Sequence, residues 1–149
     1  MSETGRLRWF WAVLFLGALY FVAGIVFAAL AKSAVSNDAR VAWRLTAWAI
    51  SAVGFAAHIR YEHVQLHSPP RTTALHVALA VGLGAFTLAV SASLHARATQ
   101  HHFPVIALAI WPVFTALPAF VVAFVAAVLL SRARLKARSA EAGPRDAKR

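Results

Sequence analysis

The segment Thr72–Ala96, TTALHVALAVGLGAFTLAVSASLHA, decides the fold because it runs for 25 residues without a formal charge. The hydrocarbon core of a bilayer is about 30 Å thick, and a helix that rises about 1.5 Å per residue crosses it with about 20 apolar residues. Three further uncharged runs flank this segment: Trp9–Ala31, Leu45–Ile59 and Phe103–Ser131. The sequence therefore predicts an all-α integral membrane protein.

The four runs predict a bundle of four transmembrane helices with short loops, over about residues 9–31, 41–60, 72–96 and 104–131. The second helix must include Arg44, whose long side chain can reach the headgroups from near a helix end. A signal peptide is the alternative for the first run, but its 23 residues exceed the usual apolar region of about 7–15 and favour a retained helix. Pro112 and Pro118 predict a kink in the fourth helix. Residues 1–131 thus form the membrane domain, and residues 132–149 form a basic, partly disordered tail.

The positive charges predict the orientation of the bundle. The chain carries 15 Lys and Arg residues. Both termini and the second loop hold eleven of them, and the first and third loops hold four. The positive-inside rule then places both termini in the cytoplasm. The chain is Ala-rich and favours Arg over Lys, which is typical of a high-GC bacterium, so we expect a multi-pass protein of a bacterial inner membrane.

Small residues recur at helical spacing along one face of the third helix: Ala78, Gly82, Ala85, Ala89 and Ala92. Small side chains let membrane helices approach closely, which is how they associate in lipid. The opposite face, which includes His76 and Gly84, is mildly polar. We therefore expect this helix to be covered on both sides. The first functional hypothesis is a non-enzymatic accessory, assembly or scaffold subunit that forms a homo-oligomer or binds a partner membrane subunit through the small-residue face.

Histidines are the main chemical signal in the chain, which has seven of them. His58 ends the second helix and His76 opens the third, and each lies nine residues from His67, so an antiparallel hairpin places them at similar depth. The alternative hypothesis is a membrane redox protein that holds haem b between His58 and His76. A second form of it is a transition-metal site made from His58, Glu62, His63, His67 and His76. The spacings match no specific motif, and hydrogen bonds to headgroups and carbonyls explain interfacial histidines equally well. No cofactor is therefore predicted.

Composition and acid placement exclude several other classes. The absence of cysteine excludes thiol chemistry, Cys-ligated clusters and covalently attached haem. No nucleophile–base set can be picked out by spacing, so we expect no enzymatic activity. The five acids are Glu3, Asp38, Glu62, Glu141 and Asp146, and all are predicted to lie in tails or loops. A transporter driven by an embedded carboxylate is therefore not expected, although a small channel or carrier is the third hypothesis.

The tail places four cations directly after the fourth helix: Arg132, Arg134, Lys136 and Arg138. Cations at this position attract anionic lipid by about 1 kcal/mol each. Together with topology, this explains the net charge of +10 without nucleic acid. We expect the partners to be membrane lipids, with anionic headgroups bound at the cytoplasmic face.

Overall fold

The computed structural model describes residues 3–98 and 106–142, and these residues form four α-helices. The helices are α1 Glu3–Ser33, α2 Asn37–Val64, α3 Pro70–Ala98 and α4 Ala107–Ala142. Three of them are long and apolar enough to cross a membrane, within Leu7–Ser33, Pro70–Ala96 and Leu108–Ser139. The all-helical prediction is therefore confirmed, together with three spans.

Local chemistry explains where α2 and α3 begin. The Ser36 side chain accepts a hydrogen bond from the backbone N–H of Ala39, and Asp38 lies in the first turn of α2. Both features stabilise a helix N-terminus. Helix α3 begins at Pro70, a residue whose missing N–H costs nothing in a first helical turn. The turn between the two helices contains His67, whose φ of +50° lies in the left-handed region.

The predicted end of the fourth helix needs correction. Residues 132–142, which we expected to belong to a partly disordered tail, continue α4 as helix. The Ala, Leu, Lys and Arg residues of this stretch are strong helix formers, and extending an existing helix avoids the cost of nucleation. Helix α4 also runs through Pro112 and Pro118 without ending. The start predicted at Pro104 and the tail from residue 143 onward lie outside the described residues.

Contacts between helices define the direction of each one. Gly17 of α1 lies beside Leu83 of α3, and Gly24 lies beside Leu88, so α1 and α3 run in the same direction. Helix α2 runs antiparallel to α1, because Gly54 approaches Leu19 while Phe27 contacts Trp43 nearer the other end. Helix α4 runs antiparallel to α3. We call the end where α1 begins and α4 ends the proximal end, and the other end the distal end.

Helix α3 lies between α1 and α4, as its two small or polar faces predict. Its Gly82 faces Ala116 of α4 and its Gly84 faces Tyr20 of α1. Near the proximal end, Ile59 of α2 joins Ala74, Val77 and Ala123 in an apolar cluster. This apolar cluster is adjacent to Glu62 on α2 and to His76 on α3.

Candidate functional site: a buried glutamate with two histidines

Glu62 is fully buried in the last turns of α2, with an exposed fraction of 0%. Nδ1 of His76 donates a hydrogen bond to its Oε1 over 2.9 Å. Nε2 of His58 lies 3.8 Å from the same oxygen, because residues four apart share a helix face. The two histidines are 1% and 7% exposed. A carboxylate and two imidazoles from two helices thus form one buried cluster.

Two further residues complete this cluster. The indole ring of Trp9 in α1 stacks on the imidazole of His76, with ring centroids 4.5 Å apart and planes inclined by 4°. Thr73, one turn before His76 on α3, is fully buried beside it. We call His58, Glu62, Thr73, His76 and Trp9 the proximal cluster. Because α1, α2 and α3 all contribute, its assembly depends on the whole bundle.

The charge of Glu62 follows from its neighbours. This residue lies beyond the predicted span 41–60. Burial raises the pKa of the Glu62 carboxyl, but its interactions with the His58 and His76 imidazoles outweigh that effect and lower the pKa from 4.5 to about 2. Glu62 is therefore ionised at neutral pH, which fixes Nδ1 of His76 as the donor of their hydrogen bond.

Several polar atoms of the proximal cluster have no hydrogen-bond partner within the described part of the chain. These are Nε1 of Trp9, both ring nitrogens of His58, Oε2 of Glu62 and Oγ1 of Thr73. Buried polar atoms are nearly always paired, since an unpaired one costs about 1–3 kcal/mol. These atoms lie together at the proximal end of α1, α2 and α3.

A cavity reaches His58 from the side of the bundle. It measures about 500 Å³ and lies between α1 and α2. Its walls are mostly apolar, with Trp11, Phe15, Ala57 and Tyr61 among them, and Arg8 lies toward the proximal end. Trp11 and Phe15 are largely exposed on the outer surface. The cavity, which we call the lateral cavity, therefore runs from the apolar surface of the bundle to His58, the residue of the proximal cluster that lines it.

The predicted histidine set divides into two groups. His58, Glu62 and His76 come together as the symmetric spacing around His67 indicates. Helix α2 ends at Val64, so His63 and His67 do not share a helix face, and both line a different cavity on the proximal surface. Within residues 3–98 and 106–142, no group of three or more His, Cys, Asp or Glu side chains is arranged to hold a metal ion.

The prediction that Glu62 lies in a loop is wrong. The charge pattern predicted that the second helix ends near residue 60, before Glu62. In the structure α2 continues to Val64, and the Glu62 side chain is buried inside the bundle. Trp9 and Thr73 were also missed as site residues. The position of Trp9 predicts an interfacial aromatic residue. Sequence spacing does not predict that its ring stacks on His76 of another helix.

The predicted packing face lies inside the same chain. Ala78, Ala85 and Ala89 are buried, and a Cβ at Gly82 would lie 3.4 Å from the Cβ of Ala116 in α4. Ala92, nearer the distal end, is exposed. Gly82 of this face therefore packs against α4 of the same chain.

Comparison with known proteins adds no family to this description. No family model, curated protein or solved structure matches the chain.

Proposed function

We propose that α2 is a fourth membrane span and that both termini lie on the cytoplasmic side of a bacterial inner membrane. Helices α1 and α3 run in the same direction, and they begin at the same level because Trp9 stacks on His76. A chain that crosses along α1 must return before α3 can cross in the same direction, and α2 is the helix between them. The excess of Lys and Arg on the proximal side supports the orientation.

We propose that the protein is a non-enzymatic membrane carrier or binding protein for a lipid-soluble molecule with a flat hydrogen-bonding head group, of the quinone class. The observation that carries this proposal is the juxtaposition of the proximal cluster and the lateral cavity at His58. Ionisable residues buried in membrane proteins are functional-site candidates by default. The lateral cavity leads to the neighbouring His58 between mostly apolar walls, from the side of the bundle that would face lipid.

The chemistry of the two parts suits such a ligand. A quinone carbonyl accepts a hydrogen bond, and an imidazole N–H of His58 can donate it. Glu62 is not among the residues that line the cavity, and its Oε1 lies 3.8 Å from Nε2 of His58, so it acts on the ligand through that imidazole. The aromatic walls at Trp11, Phe15 and Tyr61 suit a flat ring. The cavity volume of about 500 Å³ falls within the usual range for small-molecule sites, about 300–1,000 Å³.

The geometry does not favour haem between His58 and His76. Nε2 of His58 faces the Glu62 carboxylate at 3.8 Å, so this nitrogen is not directed at an iron atom between the two helices. A metal held by His58, Glu62 and His76 is the stronger form of the redox hypothesis, and the same experiment distinguishes it from a quinone.

The test is to identify the molecules and metals that copurify with the protein. The protein is isolated in mild detergent, its absorption spectrum and metal content are measured, and solvent-extracted molecules are identified by mass spectrometry. We expect a quinone-class molecule in the extract of the wild type and its loss from His58→Gln, with Arg60→Gln as an exposed control on the same helix. A stoichiometric metal or a haem absorption band would contradict the proposal.

Association with a second copy or a partner subunit stays a prediction. It cannot use the small-residue face that α4 covers, so it needs another surface. Helix α2 offers one, since Leu45, Trp48 and Val53 are more than 60% exposed. An unchanged native mass after Trp48→Ala and Val53→Ala would argue against association through α2.

A further inference from the structure

The second histidine pair lies on the proximal surface in a cavity of about 290 Å³. His63, His67 and Ser68 from the α2–α3 turn form one wall, and Ser131, Arg134 and Arg138 of α4 form the other. The remaining residues are Pro69, Pro70 and Leu135. We call this cavity the basic notch. It is separate from the lateral cavity, which shares none of these residues.

The helical extension of α4 creates the notch. Because α4 continues past Ser131 to Ala142, Arg134 and Arg138 are held four residues apart and lie on one face. Arg132 and Lys136 do not line the notch. Of the four cations predicted to bind headgroups, Arg134 and Arg138 therefore line the notch together with His63 and His67, and the other two do not.

The charges and donors of the notch select an anion. Two guanidinium groups and two imidazoles are among the groups that line it, and no carboxylate is among the lining residues. The Ser131 hydroxyl donates to the carbonyl oxygen of Ala127, so the cations and imidazoles select the ligand. Planar guanidinium groups bind phosphate oxygens through paired hydrogen bonds. The notch also lies where the uncharged stretch of α4 ends at Ser131, and cations directly after a membrane span attract anionic headgroups.

The conformation of His67 is an independent feature of the same place. Its φ of +50° is uncommon for a residue with a side chain and costs of order 1–2 kcal/mol. A glycine would adopt this turn at lower cost. This turn places the His67 imidazole among the residues that line the notch.

We propose that the basic notch binds a phosphate group between Arg134, Arg138, His63 and His67. Two sources present the same chemistry: the phosphomonoester headgroup of an anionic lipid and free phosphate in the cytoplasm. The position of the notch at the end of a membrane span favours the lipid. This site needs neither the proximal cluster nor a ligand in the lateral cavity.

The experiment compares two double variants of equal charge in nanodiscs of phosphatidylcholine with 10% phosphatidic acid. Arg134→Gln with Arg138→Gln removes the notch cations, and Arg132→Gln with Lys136→Gln removes the same charge from residues outside the notch. Retention of phosphatidic acid is measured by native mass spectrometry. We expect at least about a tenfold greater loss of retention in the notch variant than in the control, since both variants lose the general surface attraction but only the notch variant loses charge-assisted hydrogen bonds to phosphate, worth about 1.5–3 kcal/mol each.

Adding inorganic phosphate at millimolar concentration distinguishes a lipid headgroup from free phosphate as the ligand of the notch. If a headgroup is the ligand, retention of phosphatidic acid stays unchanged. If free phosphate is the ligand, it displaces the lipid and binds the wild type in lipid-free detergent but not the notch variant. Equal losses of retention in the two double variants, or no loss in either, would overturn the proposal.

Discussion

Glu62 is the residue that links α2 to α3 at the proximal end, because its carboxylate accepts a hydrogen bond from His76. Its environment is set by partners from other helices, namely His76 from α3 and the His76–Trp9 stack from α1. One-dimensional spacing indicated that His58 and His76 are near each other, but not that a carboxylate joins them.

Replacing Glu62 with Gln should destabilise the bundle by about 2 kcal/mol, because the charge-assisted hydrogen bond from His76 is weakened inside the protein. The measurement is the free energy of unfolding in detergent, followed by tryptophan fluorescence. Arg60→Gln is the control, since Arg60 is exposed on the same helix. If the two variants unfold alike, Glu62 does not stabilise the fold through His76.

The low pKa of Glu62 also predicts a response to acid. A folded-state pKa of about 2 against an ordinary value of 4.5 means that the folded chain binds this proton less readily than the unfolded chain. The stabilising contribution is complete above about pH 4.5 and is lost as the pH falls toward 2. We expect the midpoint of thermal unfolding to fall more steeply between pH 5 and 3 in the wild type than in Glu62→Gln. Parallel curves would show that another group controls the acid response.

At the scale of the helices, small residues on α3 correctly predicted a helix covered on two sides. They did not reveal which helix covers which face, because Gly and Ala permit close approach to any neighbour. The two glycines of α3 differ for this reason. A Cβ at Gly84 would lie 2.7 Å from the Cβ of Tyr20 and 3.1 Å from the carbonyl oxygen of Gly17, whereas a Cβ at Gly82 would make an ordinary 3.4 Å contact with Ala116.

Gly84→Ala should therefore destabilise the protein by about 2 kcal/mol, since the methyl group forces α1 and α3 apart. Gly82→Ala is the matched control and should change the stability little. Thermal unfolding of both variants in the same detergent gives the comparison. The packing of α1 on α3 would need revision if Gly82→Ala proved the more damaging.

The C-terminal stretch was also only partly predictable. Its charge indicated a solvated tail, and the disorder inferred from that charge is wrong for residues 132–142. Composition alone does not separate a charged helix from a charged coil when the helix grows from a preceding membrane span. The basic notch could not be found from sequence for the same reason.

At the scale of the whole molecule, the absence of cysteine makes the topology simple to measure. Val35 is fully exposed between α1 and α2, and Gln65 is exposed just after α2. Single cysteines placed at the two positions should react with a membrane-impermeant maleimide from opposite sides, with Val35→Cys labelled from outside. Labelling of both from the same side would show that α2 does not cross the membrane.

The central functional proposal is that the proximal cluster and the lateral cavity bind a quinone-class molecule. The most direct measurement is a titration of the purified protein with a short-chain quinone, followed by quenching of tryptophan fluorescence. Saturable binding to the wild type and to Arg60→Gln, weakened at least tenfold in His58→Gln and Glu62→Gln, is the expected result, since the loss of one hydrogen bond to a charged or buried group costs about 1.5–3 kcal/mol. Equal affinity in all four proteins, or no saturable binding to the wild type, would contradict the proposal.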